Sequence, residues 1–132
     1  MLIKNFLLIS FASVLLITAI AVLIFLNKQI KKEILIQKER LNKHKNNFRK
    51  IIKSNEKIEP LSELAKEFFK EEYEFPKNLS YLELAKKFKK KNKPRQTEFC
   101  NLMSEALYSG NKMNQNQIER LMMLFDSILI QH

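Results

Sequence analysis

Few side chains in this sequence could perform chemistry, and their spacing does not bring them together. The chain has one cysteine, Cys100, and two histidines, His44 and His132. A nucleophilic cysteine needs a nearby base, but both histidines lie in distant segments, and Cys100 follows Phe99 in a predicted amphipathic helix. We therefore expect a buried structural thiol, as is common for free cysteine. Two histidines and one cysteine are too few for a metal-ligand cluster or a disulfide framework, so we predict no metal and no cofactor.

Three glutamates, Glu71, Glu72 and Glu74, could be considered paired carboxylates. Catalytic carboxylates lie in pockets, and nothing in the sequence predicts a pocket around these three. We expect them to form a solvated helix end. Phosphate-binding loops need several glycines, whereas this chain has one, Gly110. We therefore predict that the protein is not an enzyme and has no catalytic residue.

A run of cations around Phe88 indicates contact with an anionic surface. Ten residues hold seven Lys or Arg, namely Lys86, Lys87, Lys89, Lys90, Lys91, Lys93 and Arg95. Clustered positive charge supplies the sequence-independent part of nucleic-acid binding. A solvated helix end, partly neutralised by the glutamates of the preceding helix, explains the same run. We favour this second interpretation because no nucleic-acid-binding motif accompanies the run.

The element that positions the chain is an uncharged N-terminal stretch. Residues 6–26 contain no charged side chain, and at about 1.5 Å per residue they cross a hydrocarbon core of about 30 Å. The sequence therefore predicts a transmembrane anchor over residues 1–27. Ala19 and Ala21 also match the small-x-small pattern of a signal-peptidase site. The apolar run continues to Leu26, so we favour the uncleaved anchor and keep an exported domain with a cleaved signal as the alternative.

The flanks of the anchor predict its orientation. Lys4 precedes the apolar stretch, and seven cations follow it within about 20 residues, the window that matters for topology: Lys28, Lys31, Lys32, Lys38, Arg40, Lys43 and Lys45. Positive residues resist translocation, so we expect the N-terminus outside and the C-terminal part in the cytoplasm. Anionic headgroups attract cations close to the membrane, and Lys28, Lys31 and Lys32 are the candidate contacts.

Residues 28–58 form a basic connector with helical periodicity. Up to Lys57 it has eleven Lys or Arg and three Glu, within a chain of net charge +10. A heptad seam follows two series of residues, Ile34, Leu41 and Phe48 in one, and Ile30, Gln37, His44, Ile51 and Ile58 in the other. The seam is only partly apolar, and we expect His44 to be a tolerated seam residue. The pattern fits a short coiled coil with a second copy or a stiff amphipathic helix that continues the anchor.

Residues 59–132 have the pattern of four short helices. The first is predicted over residues 60–72, and the others are bounded by capping residues, prolines and the one glycine, namely Ser80, Pro94, Gly110 and Asn114. Ser80 and Asn114 each precede a capping partner by three residues, Glu83 and Gln117. About 75 residues is a small core, so we expect added stability from the connector helix, a second copy or a partner.

Each predicted helix has an apolar stripe at helical spacing. The side chains predicted to be buried are Leu61, Leu64, Ala65, Phe68 and Phe69 in the first helix, Leu84, Ala85 and Phe88 in the second, Phe99, Leu102, Met103, Ala106 and Leu107 in the third, and Ile118, Leu121, Met122, Phe125, Ile128 and Leu129 in the fourth. Four stripes with caps at the predicted ends indicate a small all-helical bundle.

Four short elements of this bundle resemble known proteins: Leu64–Phe69, Leu79–Ala85, Glu98–Cys100 and Leu107–Gly110. They are similar to short membrane-anchored helical proteins of archaea of uncharacterised function. More loosely, they resemble the small helical tail domain that follows transglutaminase-like domains in larger membrane proteins. The resemblance covers roughly the last 70 residues, and it implies a helical architecture and no catalytic residue.

Taken together, the sequence predicts an all-α protein with a single transmembrane helix, a basic amphipathic connector helix and a bundle of about four short helices. We expect a non-catalytic interaction or scaffold module whose partners are the lipid bilayer and either another protein or, weakly, a second copy. The alternative is a membrane-tethered protein that binds nucleic acid or anionic lipid through its basic segments.

Overall fold

The structure, a computed structural model, describes residues 2–110 and 112–131. These residues form five helices and no strand: α1 (Leu2–Ile52), α2 (Ile58–Tyr73), α3 (Tyr81–Lys90), α4 (Pro94–Tyr108) and α5 (Gln115–Ile130). The predicted all-α class is therefore confirmed. The chain divides into two compact units, one that ends at Arg40 and one that begins at Leu41.

The first unit is the N-terminal part of α1. An 18-residue window of this helix has a mean hydropathy of 2.8, and none of its residues is buried. The hydroxyl groups of Ser13 and Thr18 donate to the carbonyl oxygens of Ile9 and Val14, at 2.9 and 2.8 Å. These polar groups are thus satisfied inside the helix, as a lipid environment requires. By length and composition, α1 is a candidate membrane span, as predicted.

The second unit begins at Leu41, whereas the sequence placed the start of the helical domain at residue 59. His44, Phe48 and Ile51 near the end of α1 are buried, and Leu41 packs against the same core. These are seam residues of the predicted connector. The chain's own core therefore covers the seam from Leu41 onward, which accounts for the earlier start of the second unit.

Phe125 of α5 joins four helices of the second unit. Its ring centroid lies 5.3 Å from that of Phe48 in α1, 6.0 Å from Phe68 in α2 and 5.4 Å from Phe99 in α4. Aromatic pairs at these separations add to the free energy gained by burial. Phe88 of α3 belongs to the same core, and its ring centroid lies 4.9 Å from that of Phe69 in α2.

The helix ends carry the predicted capping contacts. The Ser80 hydroxyl oxygen accepts a hydrogen bond from the Glu83 N–H at 3.2 Å. Asn114 and Gln117 form a reciprocal capping box, with distances of 2.8 and 3.1 Å. Gly110 follows α4 with a φ of +70°, a left-handed conformation that is least costly for glycine.

The predicted apolar stripes match the core, except at their edges. All predicted residues of α2 and α3 are buried, as are Phe99 and Met103 in α4. In contrast, Leu102, Ala106, Leu107 and Met122 are only partly buried against the core, and Ile118 is also only partly buried. Leu124, outside the predicted stripe, is buried. The buried face of α4 is one stripe, shifted around the helix from the predicted one, and consists of Gln96, Phe99, Cys100, Met103 and Ser104.

Candidate functional site

Cys100 lies in the core of the second unit. Its exposed fraction is 0%, and it follows the equally buried Phe99 in α4. Burial raises the pKa of the Cys100 thiol well above its ordinary value of 9.0, because a thiolate would lose its hydration. The thiol is thus protonated at neutral pH and shielded from solvent, so the structure gives it a packing role rather than that of a nucleophile.

His44 has a more definite role than that of a tolerated seam residue. Its side chain is 3% exposed, and its Nε2 lies 2.5 Å from Oε2 of Glu71 in α2. The His44 ring also packs edge-on against Phe68, with the centroids 5.6 Å apart. Its Nδ1 is buried without a hydrogen-bond partner among the described residues. His44 therefore links the end of α1 to α2.

Two tyrosines, the buried Tyr81 and the half-buried Tyr73, form hydrogen bonds between helices. The Tyr81 hydroxyl donates to the carbonyl oxygen of Ser62 at 2.7 Å, and burial raises the pKa of Tyr81 well above 10.0. The Tyr73 hydroxyl accepts a hydrogen bond from the side-chain amide of buried Gln96 at 3.1 Å, and burial raises its pKa as well. Both contacts fix one helix against another, and both were missed at the sequence level.

No group of three or more His, Cys, Asp or Glu within residues 2–110 and 112–131 is arranged to hold a metal ion. His132 lies outside the described residues. Glu71 of the acidic cluster is 30% exposed and contacts His44, whereas Glu74 ends α2 with a left-handed backbone, its φ being 58°. Glu71 thus contacts a buried histidine, whereas Glu74 is the C-terminal cap residue of α2.

The predicted basic run forms one exposed segment of the second unit. It covers the C-terminal half of α3 and the first turn of α4, and all seven cations are exposed: Lys86, Lys87, Lys89, Lys90, Lys91, Lys93 and Arg95. We call this set the basic surface. Phe88, at its centre in the sequence, is fully buried and fixes the helix that presents these cations.

Two of these lysines fold back onto the domain. The Nζ atoms of Lys87 and Lys91 lie 5.5 and 5.0 Å from the centre of the Phe75 ring, a geometry that favours a cation near the aromatic face. Lys89 and Lys93 instead line a surface hollow of about 750 Å³ together with Glu98 and other residues of α4. The basic surface is thus partly ordered by its own domain.

The cations Lys28, Lys31 and Lys32, predicted to lie beside the membrane, are exposed in the first unit. They follow the apolar window of α1 in the sequence. They and the basic surface belong to different units.

A further surface feature was missed at the sequence level. Phe48 and Ile52 of α1 line an apolar groove with Ile118, Met122 and Met123 of α5. We call it the α1–α5 groove, and its volume is about 480 Å³. Lys57, Glu119 and Asp126 line it as well. Met123 lies outside the predicted apolar stripe of α5. Its position in the sequence could have indicated that this helix has a second apolar face.

Comparison of the chain with known protein families, curated proteins and solved structures found no match. The resemblance to archaeal membrane-anchored helical proteins and to the helical tail domain therefore stays a prediction.

Proposed function

We propose that this protein is a single-pass, membrane-anchored interaction module whose helical domain lies in the cytoplasm. The observation that carries the proposal is a contrast within the chain. The apolar window of α1 has none of its residues buried, whereas the second unit encloses a core of fully buried aromatic and aliphatic side chains. An unburied apolar helix of this length finds its natural partner in lipid, which leaves the surface of the second unit for other contacts.

The cytoplasmic orientation is supported by the charges that flank the apolar window. Lys4 precedes it, and the cations from Lys28 to Lys45 follow it. Retention of positive residues on the cytoplasmic side gives a topology with the N-terminus outside. The candidate contacts Lys28, Lys31 and Lys32 then face anionic headgroups of the inner leaflet.

Protease accessibility of a C-terminal tag tests this proposal. The cells are treated so that protease passes the layers outside the cytoplasmic membrane while that membrane stays sealed. We expect external protease to leave the tag uncut until detergent is added. Inverted membrane vesicles should show the opposite result, which controls for a domain that simply resists the protease. Digestion in intact cells would contradict the cytoplasmic location.

Cleavage of the N-terminal segment is a separate question, and intact mass answers it. An uncleaved anchor gives the mass of the full chain in the membrane fraction. A mature form that begins at Val22, after Ala19 and Ala21, would replace the anchor with a signal peptide and make the helical domain an exported one.

Binding of an anionic polymer or anionic lipid is a second candidate function, and the exposed basic surface specifically favours it. Seven cations within ten residues give a field that attracts phosphate groups. We expect such binding to be independent of sequence and to weaken steeply as salt is added. Nucleic-acid binding that persists unchanged at high salt would contradict this mechanism.

A further inference from the structure

The α1–α5 groove leaves large apolar side chains open to solvent. Met123 is 65% exposed and Ile52 is 46% exposed, while Phe48, Ile118 and Met122 line the same groove. Contiguous apolar patches with a polar rim mark sites of interaction. The groove is therefore a candidate interaction site.

The shape and composition of the groove suit a helix. It extends along α5 from Gln115 to Asp126, which is about 17 Å at 1.5 Å per residue and matches about three turns of a partner helix. Amphipathic helices bind such grooves through apolar residues at i, i+3 or i+4, and i+7. Methionine side chains adapt to partners of this kind because they are flexible and polarizable.

The charges around the groove indicate what kind of helix it accepts. Glu119, Asp126 and Lys57 line it, and the adjoining hollow adds Glu56 and Glu59. None of these five side chains forms an ion pair with a residue that the structure describes. Carboxylates thus outnumber cations here, although the whole chain has a net charge of +10.

This excess of carboxylates favours a basic partner over a second copy. A second copy that used the same groove would bring the same excess of negative charge to the contact, and like charges disfavour association. A helix with Lys or Arg beside its apolar face would complement Glu119 and Asp126. Charge complementarity therefore selects between the two occupants.

We propose that the α1–α5 groove binds a basic amphipathic helix of a partner protein. The apolar face of that helix covers Ile52, Met122 and Met123, and its cations lie beside Glu119 and Asp126. This inference rests on the proposed function as an interaction module, and it adds the chemical class of the partner.

A peptide-binding titration on the full chain tests the proposal. The chain is placed in phosphatidylcholine nanodiscs, because a zwitterionic lipid does not attract basic peptides. The probe is a fluorescent helical peptide with leucines at i, i+4 and i+7 and flanking lysines. A second peptide carries glutamates in place of the lysines, and empty nanodiscs measure binding to lipid. We expect saturable binding of the basic peptide, and affinity lower by about tenfold for the acidic one.

Variants of exposed residues locate the binding site without disturbing the core. We expect Met123→Lys to abolish binding, since it places a cation in the apolar groove. Glu119→Gln combined with Asp126→Asn should weaken binding by about fivefold to tenfold and reduce its salt dependence. The matched control is Glu63→Gln on α2, an exposed carboxylate outside the groove, which should bind as the original chain does.

Three outcomes would overturn the proposal. The first is that the basic peptide shows no saturable binding, and the second is that the Met123→Lys variant binds it as well as the original chain does. The third is that the chain forms dimers in the nanodiscs and that Met123→Lys dissociates them. The last result would make a second copy the occupant. Protease accessibility of the same chain tests the proposed membrane topology independently, so failure of the groove and failure of the anchored module give different results.

Discussion

At the residue scale, the hydrogen bond between His44 and Glu71 links α1 to α2. His44 is almost completely buried, and its Nε2 faces the Glu71 carboxylate at 2.5 Å. We expect Glu71→Ala to lower the free energy of unfolding by about 1–3 kcal/mol, because a buried polar group that loses its partner keeps its desolvation cost. Urea unfolding of the full chain in mild detergent, followed by circular dichroism, measures this change.

The control for this prediction is Glu63→Ala, at an exposed position of the same helix. It should change the free energy of unfolding by less than about 0.5 kcal/mol. His44→Phe in the Glu71→Ala background should recover part of the loss, because the variant pair leaves no buried ring nitrogen. Equal destabilisation by Glu71→Ala and Glu63→Ala would show that the hydrogen bond contributes nothing.

Burial of Cys100 and Tyr81 also predicts how stability depends on pH. Both pKa values are raised above their ordinary values of 9.0 and 10.0. The unfolded chain therefore releases these protons at a lower pH than the folded chain does. The contribution of these two groups to the free energy of unfolding is fully present below about pH 9. It declines at higher pH, because the folded state keeps protons that the unfolded state has lost.

Urea unfolding between pH 7 and pH 10.5 checks this dependence. Cys100→Ala removes one of the two groups, so its decline should be shallower just above pH 9 even though its stability is lower throughout. Parallel pH profiles for the original chain and the Cys100→Ala variant would contradict a shifted thiol pKa.

At the scale of elements, the last turns of α1 behave as a helix of the second unit. Phe48 is 4% exposed and contacts Phe125, whereas Ile52, one turn later, is 46% exposed. Phe48→Ala should therefore cost about 3–5 kcal/mol in the free energy of unfolding, and Ile52→Ala about 1 kcal/mol or less. Thermal unfolding of the two variants gives the comparison.

Fragments test the same conclusion at the level of the element. Residues 41–132 should unfold cooperatively, while residues 59–132 should lack a cooperative transition because they lose Phe48 and Ile51 from the core. A stable fragment that begins at residue 59 would show that the end of α1 is dispensable.

The turn after α4 depends on one backbone conformation. Gly110 has a φ of +70°, and an added Cβ would meet no atom within 4 Å. Gly110→Ala should therefore cost about 1 kcal/mol through its backbone conformation alone. Gly110→Asn should cost less, because asparagine adopts this conformation more readily. Equal losses for the two variants would indicate a steric cause instead.

The sequence predicted the helices well because caps and stripes are local signals. Ser80, Pro94, Gly110 and Asn114 all mark helix ends in the structure. The heptad seam was harder, because its periodicity shows that a face is covered but not what covers it. Leu41, His44 and Phe48 fit a coiled coil equally well. Only the tertiary structure places His44 against α2, Phe48 against α5 and Leu41 at the edge of the core.

Buried polar side chains and surface grooves have no comparable local signal. Gln96 is buried because the Tyr73 hydroxyl accepts its amide hydrogen, which depends on how α2 and α4 pack. The α1–α5 groove combines residues from the two ends of the second unit's sequence, such as Ile52 and Met123. Both features arise when distant segments meet, so the spacing of residues along the chain does not reveal them.

At the scale of the whole molecule, positive charge is concentrated beside the apolar window of α1. Lys28, Lys31 and Lys32 follow that window, whereas only Lys4 precedes it within the chain. If this imbalance directs topology, reducing it on one side and raising it on the other should produce chains of both orientations. The proposed interaction surfaces would then be divided between the two sides of the membrane.

We therefore expect a charge-exchange variant to show mixed topology. It replaces Lys28, Lys31 and Lys32 with glutamine and introduces Leu2→Lys, Ile3→Lys and Asn5→Lys. Lys4 and the three new lysines then oppose the four cations that remain between Lys38 and Lys45. Protease accessibility of the C-terminal tag in intact cells should change from full protection to partial digestion.

The control removes three lysines, as many as the charge-exchange variant removes, but outside the window that directs topology. Replacing Lys86, Lys87 and Lys90 with glutamine alters exposed residues of the basic surface and leaves both flanks of the apolar segment unchanged. Its tag should remain protected, because cations far from the membrane segment have little influence on orientation. Full protection of the charge-exchange variant would mean that another feature of the chain directs its insertion. Digestion of the control would instead indicate that the basic surface itself resists translocation.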